Sequence, residues 1–176
     1  MAPTVRRSRL IAVSVCAIVG AMGVTLIVDG ANVMGSRADG WWRDPPGAMA
    51  RLHDDLAGVA ERGIPGPVPG TGPDGADDPG EPDPGQPGGS GAGDRWFPDI
   101  VLVVEGRARA VLSLVPQVPT VRVVAARGEG DDEIADLAGR LPGQRIVVTA
   151  DRELRRRSEA AGASVAGPRW LTRQLG

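Results

Sequence analysis

Val24-Thr25-Leu26-Ile27-Val28 is an unbroken apolar or β-branched run that stops on Asp29-Gly30. A short continuous run of this kind predicts a strand covered on both faces, as in a parallel sheet. The pattern returns at Ile100–Val104, ending on Glu105-Gly106, and at Val121–Ala125, ending near Arg127-Gly128. It returns again at Arg145–Thr149, ending on Ala150-Asp151, and more weakly at Ala163–Ala166. Between these runs the apolar positions switch to helical spacing. Ala48, Leu52, Leu56 and Val59 share one face of a helix opened by Pro45-Pro46 and stopped at Gly63. Ile134, Leu137, Ala138 and Leu141 do the same for a helix beginning at Asp131. Shorter helices are expected over Arg107–Leu114, over an Arg-rich stretch 152–161 and over Pro168–Leu175. Gly35 to Gly47 reads as a polar loop, and Asp29-Gly30 as a turn. Strands alternating with helices imply right-handed crossovers, so the expected fold is α/β, a three-layer α/β/α parallel sheet of about five strands.

Two stretches fall outside that pattern. Residues 63–94 are rich in Gly and Pro and contain Ile64 and Val68 as their only large apolar side chains. So little burial does not offset the ordering entropy, which predicts a disordered insertion between helix and strand. At the other extreme, residues 1–9 are basic and Leu10 to Val28 carry no charge. That length suits a membrane span or a secretory signal, with Val19-Gly20-Ala21 as a small-residue site. Val24–Val28 cannot serve both as span and as central strand. A translation start at Met22 resolves the conflict, leaving residues 1–21 as an apolar leader and residues 22–176 as the working domain in the cytoplasm. A cleaved signal or membrane anchor is the alternative.

Composition narrows the chemistry. With one cysteine, Cys16, there is neither a disulfide framework nor a cysteine-based zinc cluster. With one histidine, His53, a Ser-His-Asp arrangement is a poor fit, and a packed or surface imidazole is the plainer reading. The net charge of −2 conceals an uneven distribution. The insertion holds Asp74, Asp77, Asp78, Glu81, Asp83 and Asp94 and no Arg.

Acids mark the ends of the predicted strands or the helix starts that follow: Asp29, Asp131 with Asp132, and Asp151, with Glu105 a further candidate. In a parallel sheet all strand carboxyl ends lie on one edge, where ligands bind. Each acid alone has an ordinary role, as a helix cap or a turn residue. Together they suit a hard cation, since neighbouring carboxylates repel one another and oxygen donors favour Mg²⁺ or Mn²⁺. Asn32 and Thr149 are candidate supporting polar groups. Arg37, Arg43, Arg107, Arg109, Arg127, Arg152 and Arg155–Arg157 follow the same strand ends, a basic rim able to hold a phosphodiester backbone or simply a solvated surface. Trp41 and Trp42 could stack bases or cover the core.

Val-Asp-Gly-Ala-Asn (28–32), Gly-Asp-Asp-Glu-Ile (130–134) and Val-Thr-Ala-Asp-Arg-Glu-Leu (148–154), in that order, resemble the NYN domains of the PIN-like nuclease superfamily, and within them the bacterial YacP-like group. The resemblance covers about residues 24–62 and 95–176. It implies a PIN-like fold and a Mg²⁺-dependent ribonuclease, with metal-binding and catalytic acids at Asp29, Asp131 or Asp132, and Asp151. Asn32 and Thr149 would support them; apart from the resemblance, the basic rim makes Arg37, Arg107 and Arg152, together with Asn32 and Thr149, the expected substrate contacts. RNA is the expected partner, with a homodimer left open. The same site would also serve a nucleotide phosphohydrolase, and a silent RNA-binding module of the same fold is the rival of another class. The insertion, which is not part of the family pattern, reads as a plain spacer, with an effect on substrate access the alternative.

Overall fold

The computed structural model describes residues 23–37, 40–70, 95–116 and 118–175. The leader, and the part of the insertion from 71 to 94, lie outside the described residues, as does the choice of start site.

Five parallel strands form the sheet: β1 (Val24–Asp29), β4 (Asp99–Val104), β5 (Val121–Ala125), β6 (Gln144–Val148) and β7 (Ser164–Ala166), in the order β5-β4-β1-β6-β7. β1 is central, pairing Ile27 with Val101 on one side and with Val147 on the other. The chain first builds outward from β1 to β4 and β5, then returns to lay β6 against the free side of β1. The switch point therefore falls between β1 and β6, and in open α/β sheets ligands bind in the crevice outside such a point. This is the expected three-layer α/β/α architecture.

The apolar runs are unbroken because both faces of the sheet are buried. Leu26, Val28, Ile100, Leu102, Ile146 and Val148 point to one side. There they meet α1 (Gly30–Gly35), α2 (Pro45–Arg62) and α5 (Pro168–Leu175) through Val33, Leu52, Leu56 and Leu171. Ile27, Val101, Val103 and Val147 point to the other side, against Ile134 and Leu137 of α3 (Gly130–Arg140) and Leu154 of α4 (Arg152–Ala160). Each fully buried Leu or Ile contributes about 1.5–3 kcal/mol. Among the described residues no helix is long and apolar enough to cross a membrane.

Three expectations need correcting. Asp29-Gly30 is not a turn: Asp29 ends β1 and caps α1, whose first residue is Gly30. The loop expected over Gly35 to Gly47 is shorter, because α1 already occupies 30–35 and a 3₁₀ turn covers Trp41–Arg43. The segment expected to lack structure from residue 63 is ordered as far as Gly70. Ile64, 2% exposed, enters the core, and Val68 packs against it. Ile64–Pro65 (β2) pairs antiparallel with Arg95–Trp96 (β3). From there the backbone passes the amino ends of β6 and β7, where Gln144 Nε2 donates to the Pro69 carbonyl at 3.4 Å and Gly70 lies against Ser164. Two apolar anchors were enough to hold a stretch whose composition is otherwise that of a linker. His53 is packed, 1% exposed, with Nδ1 3.2 Å from Asp54 Oδ1.

Candidate active site

At the carboxyl edge of the sheet, a cleft of about 530 Å³ lies across the β1/β6 switch point. Asp29, Asn32, Ser36, Glu105, Asp131 and Asp151 supply its polar lining. Asp29 comes straight from β1 and is 7% exposed. Its Oδ1 accepts from the Asn32 N–H at 3.0 Å and its Oδ2 from the Thr149 hydroxyl at 3.0 Å. Thr149, fully buried just past β6, also accepts from the Asp151 N–H at 3.1 Å. One hydroxyl thus joins the acids of the two central strands. Asn32 makes a second tie, its Oδ1 accepting from the Ala150 N–H at 3.0 Å. Because that oxygen is committed, the amide NH₂ of Asn32 remains as the donor group of this cleft-lining side chain.

Asp151 caps α4 through the Leu154 N–H at 2.8 Å. Glu105, just beyond β4, reaches across to the start of α3 and accepts from the Gly130 N–H at 2.7 Å. That contact brings Asp131, the next residue, to the cleft wall. Gly30 is required for the same assembly. A Cβ there would lie 2.7 Å from the Val103 carbonyl and 3.0 Å from Met49, so α1 could not sit this close to β4.

The electrostatics follow from acids gathered in a partly closed space. Burial pushes the Asp29 carboxyl above its ordinary range, and the charges of Asp131 and Glu105 push it further, against the pull of the Asn32 and Thr149 hydrogen bonds. Asp131 is also raised, first by burial and then by Asp151 and Glu105, with Arg157 opposing. Carboxylates in this condition are stabilised by a cation. The donor set is all oxygen, which fits Mg²⁺ or Mn²⁺ in kind. Among the described residues no three acid, histidine or cysteine side chains are already drawn into a metal-holding group.

The structure separates the sequence candidates. Asp29, Asn32, Asp131 and Asp151 line the cleft, and Thr149 lies directly behind Asp29. Asp132 turns outward, 71% exposed along its side chain, and pairs with Arg157 at 2.8 Å. Neighbours on a helix point about a quarter-turn or more apart, so only one of the two can face the cleft. Arg37 is drawn to α2 by Asp55 at 3.4 Å rather than lying along the cleft. Arg107 lines an adjoining chamber, and Arg152 is exposed at the start of α4. Trp41 packs against the core, whereas Trp42 is 59% exposed. Ser36 was not anticipated. It stands four residues after Asn32, on the same face of one turn, and that spacing is the signal that could have found it.

No known family model matches this chain, and no curated protein matches it in sequence. Among solved structures the fold is similar to that of Rae1 (YacP) from Bacillus subtilis, crystallised in a mutant form. The TM-score is 0.55 with 17% identity, over 88% of this chain and 75% of that one. At that identity the likeness carries the fold alone, a three-layer α/β/α arrangement.

Proposed function

We propose that this protein is a metal-dependent ribonuclease that hydrolyses RNA phosphodiester bonds in the cleft at the β1/β6 switch point. The observation that carries the reading is the convergence of Asp29, Asp131, Asp151 and Glu105 on one cleft, with the carboxyls of Asp29 and Asp131 raised by burial and by the charge of neighbouring acids. The fold likeness to Rae1 (YacP) supports it.

In this reading Asp29, Asp131 and Asp151 hold a Mg²⁺ or Mn²⁺ ion. When bound, the ion supplies Lewis-acid stabilisation of phosphoryl oxygens and lowers the pKa of water. The chain's own groups set the stage. Thr149 fixes the rotamer of Asp29 and ties it to the Asp151 backbone. Glu105 holds the start of α3, and with it Asp131, in place. The Asn32 amide presents a donor to a phosphate oxygen. The exposed Arg152 and Arg107 at the margins attract the strand.

The test is cleavage of defined RNAs by purified protein, with and without Mg²⁺ or Mn²⁺, beside Asp29→Asn and Asp151→Asn. Each substitution is expected to lower cleavage more than roughly 100-fold, beyond the usual loss from a supporting group. Cleavage that persists in both variants, or that ignores a chelator, would overturn the reading. Free nucleoside triphosphates in the same assay distinguish a nucleotide phosphohydrolase.

A further inference from the structure

A second hollow, of about 260 Å³, opens beside the acid cleft and shares Ala31 and Glu105 with it. Its character is different. Met34, Trp41 and Met49 form an apolar wall, and Arg107 stands at the margin on the opposite chain segment. Met34 and Met49 are buried, 1% and 3% exposed, so this wall belongs to the core and is fixed in place. Trp41 is held by the 3₁₀ turn Trp41–Arg43 and meets Trp42 edge-on, ring centroids 6.5 Å apart. The volume falls below the ~300–1,000 Å³ of sites for drug-sized ligands, which leaves room for one flat group. An indole and two thioethers make a polarizable surface suited to an aromatic ring, and a guanidinium can stack on such a ring or hold a phosphate beside it.

We infer that this hollow is a base subsite, receiving the unstacked nucleobase of the nucleotide adjoining the phosphate held in the acid cleft. The inference rests on the nuclease reading for the phosphate's position. The hollow's own chemistry, a small apolar chamber walled by an indole and two thioethers with a cationic margin, defines the occupant. Because the two cavities share a wall, a strand laid through the cleft brings one base, at a fixed distance from the cut, to Trp41. Stacking on an aromatic accepts any base, so the subsite enforces single-strandedness more than sequence.

The experiment uses short single-stranded oligoribonucleotides in which one abasic nucleotide is walked along the strand. Binding is read by anisotropy with the Asp29→Asn protein, and cleavage with the wild type. Removing the base at one position relative to the cut should weaken binding roughly 5- to 150-fold, the range for losing one stacked base, with smaller effects elsewhere. Trp41→Ala should impose a similar loss on the intact strand and almost none on the strand already abasic at that position. Trp41→Phe, which keeps a stacking face, should restore most of the binding and controls for misfolding. A loss indifferent to abasic position, or a Trp41→Ala effect equal on both strands, would overturn the inference. Position-dependent binding without any cleavage would leave the subsite standing and refute the nuclease reading instead.

Discussion

The Thr149 hydroxyl makes two hydrogen bonds at once, giving its proton to Asp29 and taking one from the Asp151 backbone. Thr149→Val keeps the shape and removes both. A buried carboxylate oxygen and a part-buried N–H are then left short of partners, a cost of about 1–3 kcal/mol for the buried group and less for the other. Chemical denaturation should show the loss, and Thr149→Ser should recover most of it. Asp131 gives a prediction of opposite sign. Its carboxyl is raised in the folded chain above the ordinary 3.8, so the folded state holds on to the proton longer than the unfolded one. Its contribution is fully present below the unfolded value and is lost as pH rises through the folded one. In the absence of divalent ions, Asp131→Asn should therefore gain thermal stability relative to wild type as pH goes from about 4 to about 7. Melting curves in chelator across that window check it, and a difference that shrinks with pH would contradict the cause assigned here.

At the scale of elements, α1 shows what the chain's pattern conceals. Gly-Ala-Asn-Val-Met-Gly has glycines at both ends and too few residues for an amphipathic period, so its helical state is not visible in its propensities. It forms because Asp29 caps it and because Val33 and Met34 are buried beneath it. The strands were legible for the converse reason. Burial on both faces leaves no polar position in Leu26–Val28 or Ile100–Val104 to blur the signal. The acids at the strand ends were legible with them, because parallel topology alone sends them to one edge. Which of Asp131 and Asp132 faces inward was not, since helix rotation depends on the Glu105–Gly130 contact, made across 25 positions of chain. The Met34–Trp41 wall was equally hidden, its members lying in a stretch with no regular spacing. Gly30→Ala tests how firmly α1 is seated. The added methyl meets a backbone carbonyl that cannot yield like a side chain, so a loss of about 1–3 kcal/mol is expected in equilibrium unfolding, with weakened activity.

Over the whole molecule, the arginines do not act as one surface. Arg37 is engaged by Asp55, and Arg157 by Asp132. Arg156 is paired with Glu153 within one turn of α4. A rim partly neutralised by its own acids attracts a polyanion less steeply than the count of arginines suggests. The exposed Arg152 and the paired Arg37 should accordingly differ. Arg152→Gln should reduce the salt dependence of RNA binding by about one phosphate equivalent. Arg37→Gln should leave that slope nearly unchanged and show its effect in stability. Binding isotherms at several salt concentrations distinguish the two.

The β2–β3 pairing lies at the amino end of the sheet, away from the acid cleft, and closes the chain on itself at Ile64–Pro65 and Arg95–Trp96. It acts as a clasp, and Val68, Pro69 and Gly70 extend it against the core and the amino ends of β6 and β7. The stretch beyond Gly70 is thus a natural splice point. Shortening residues 71–94, or exchanging them for a foreign loop or reporter, should leave the acid-lined edge unaware of the change so long as the clasp and residues 66–70 remain.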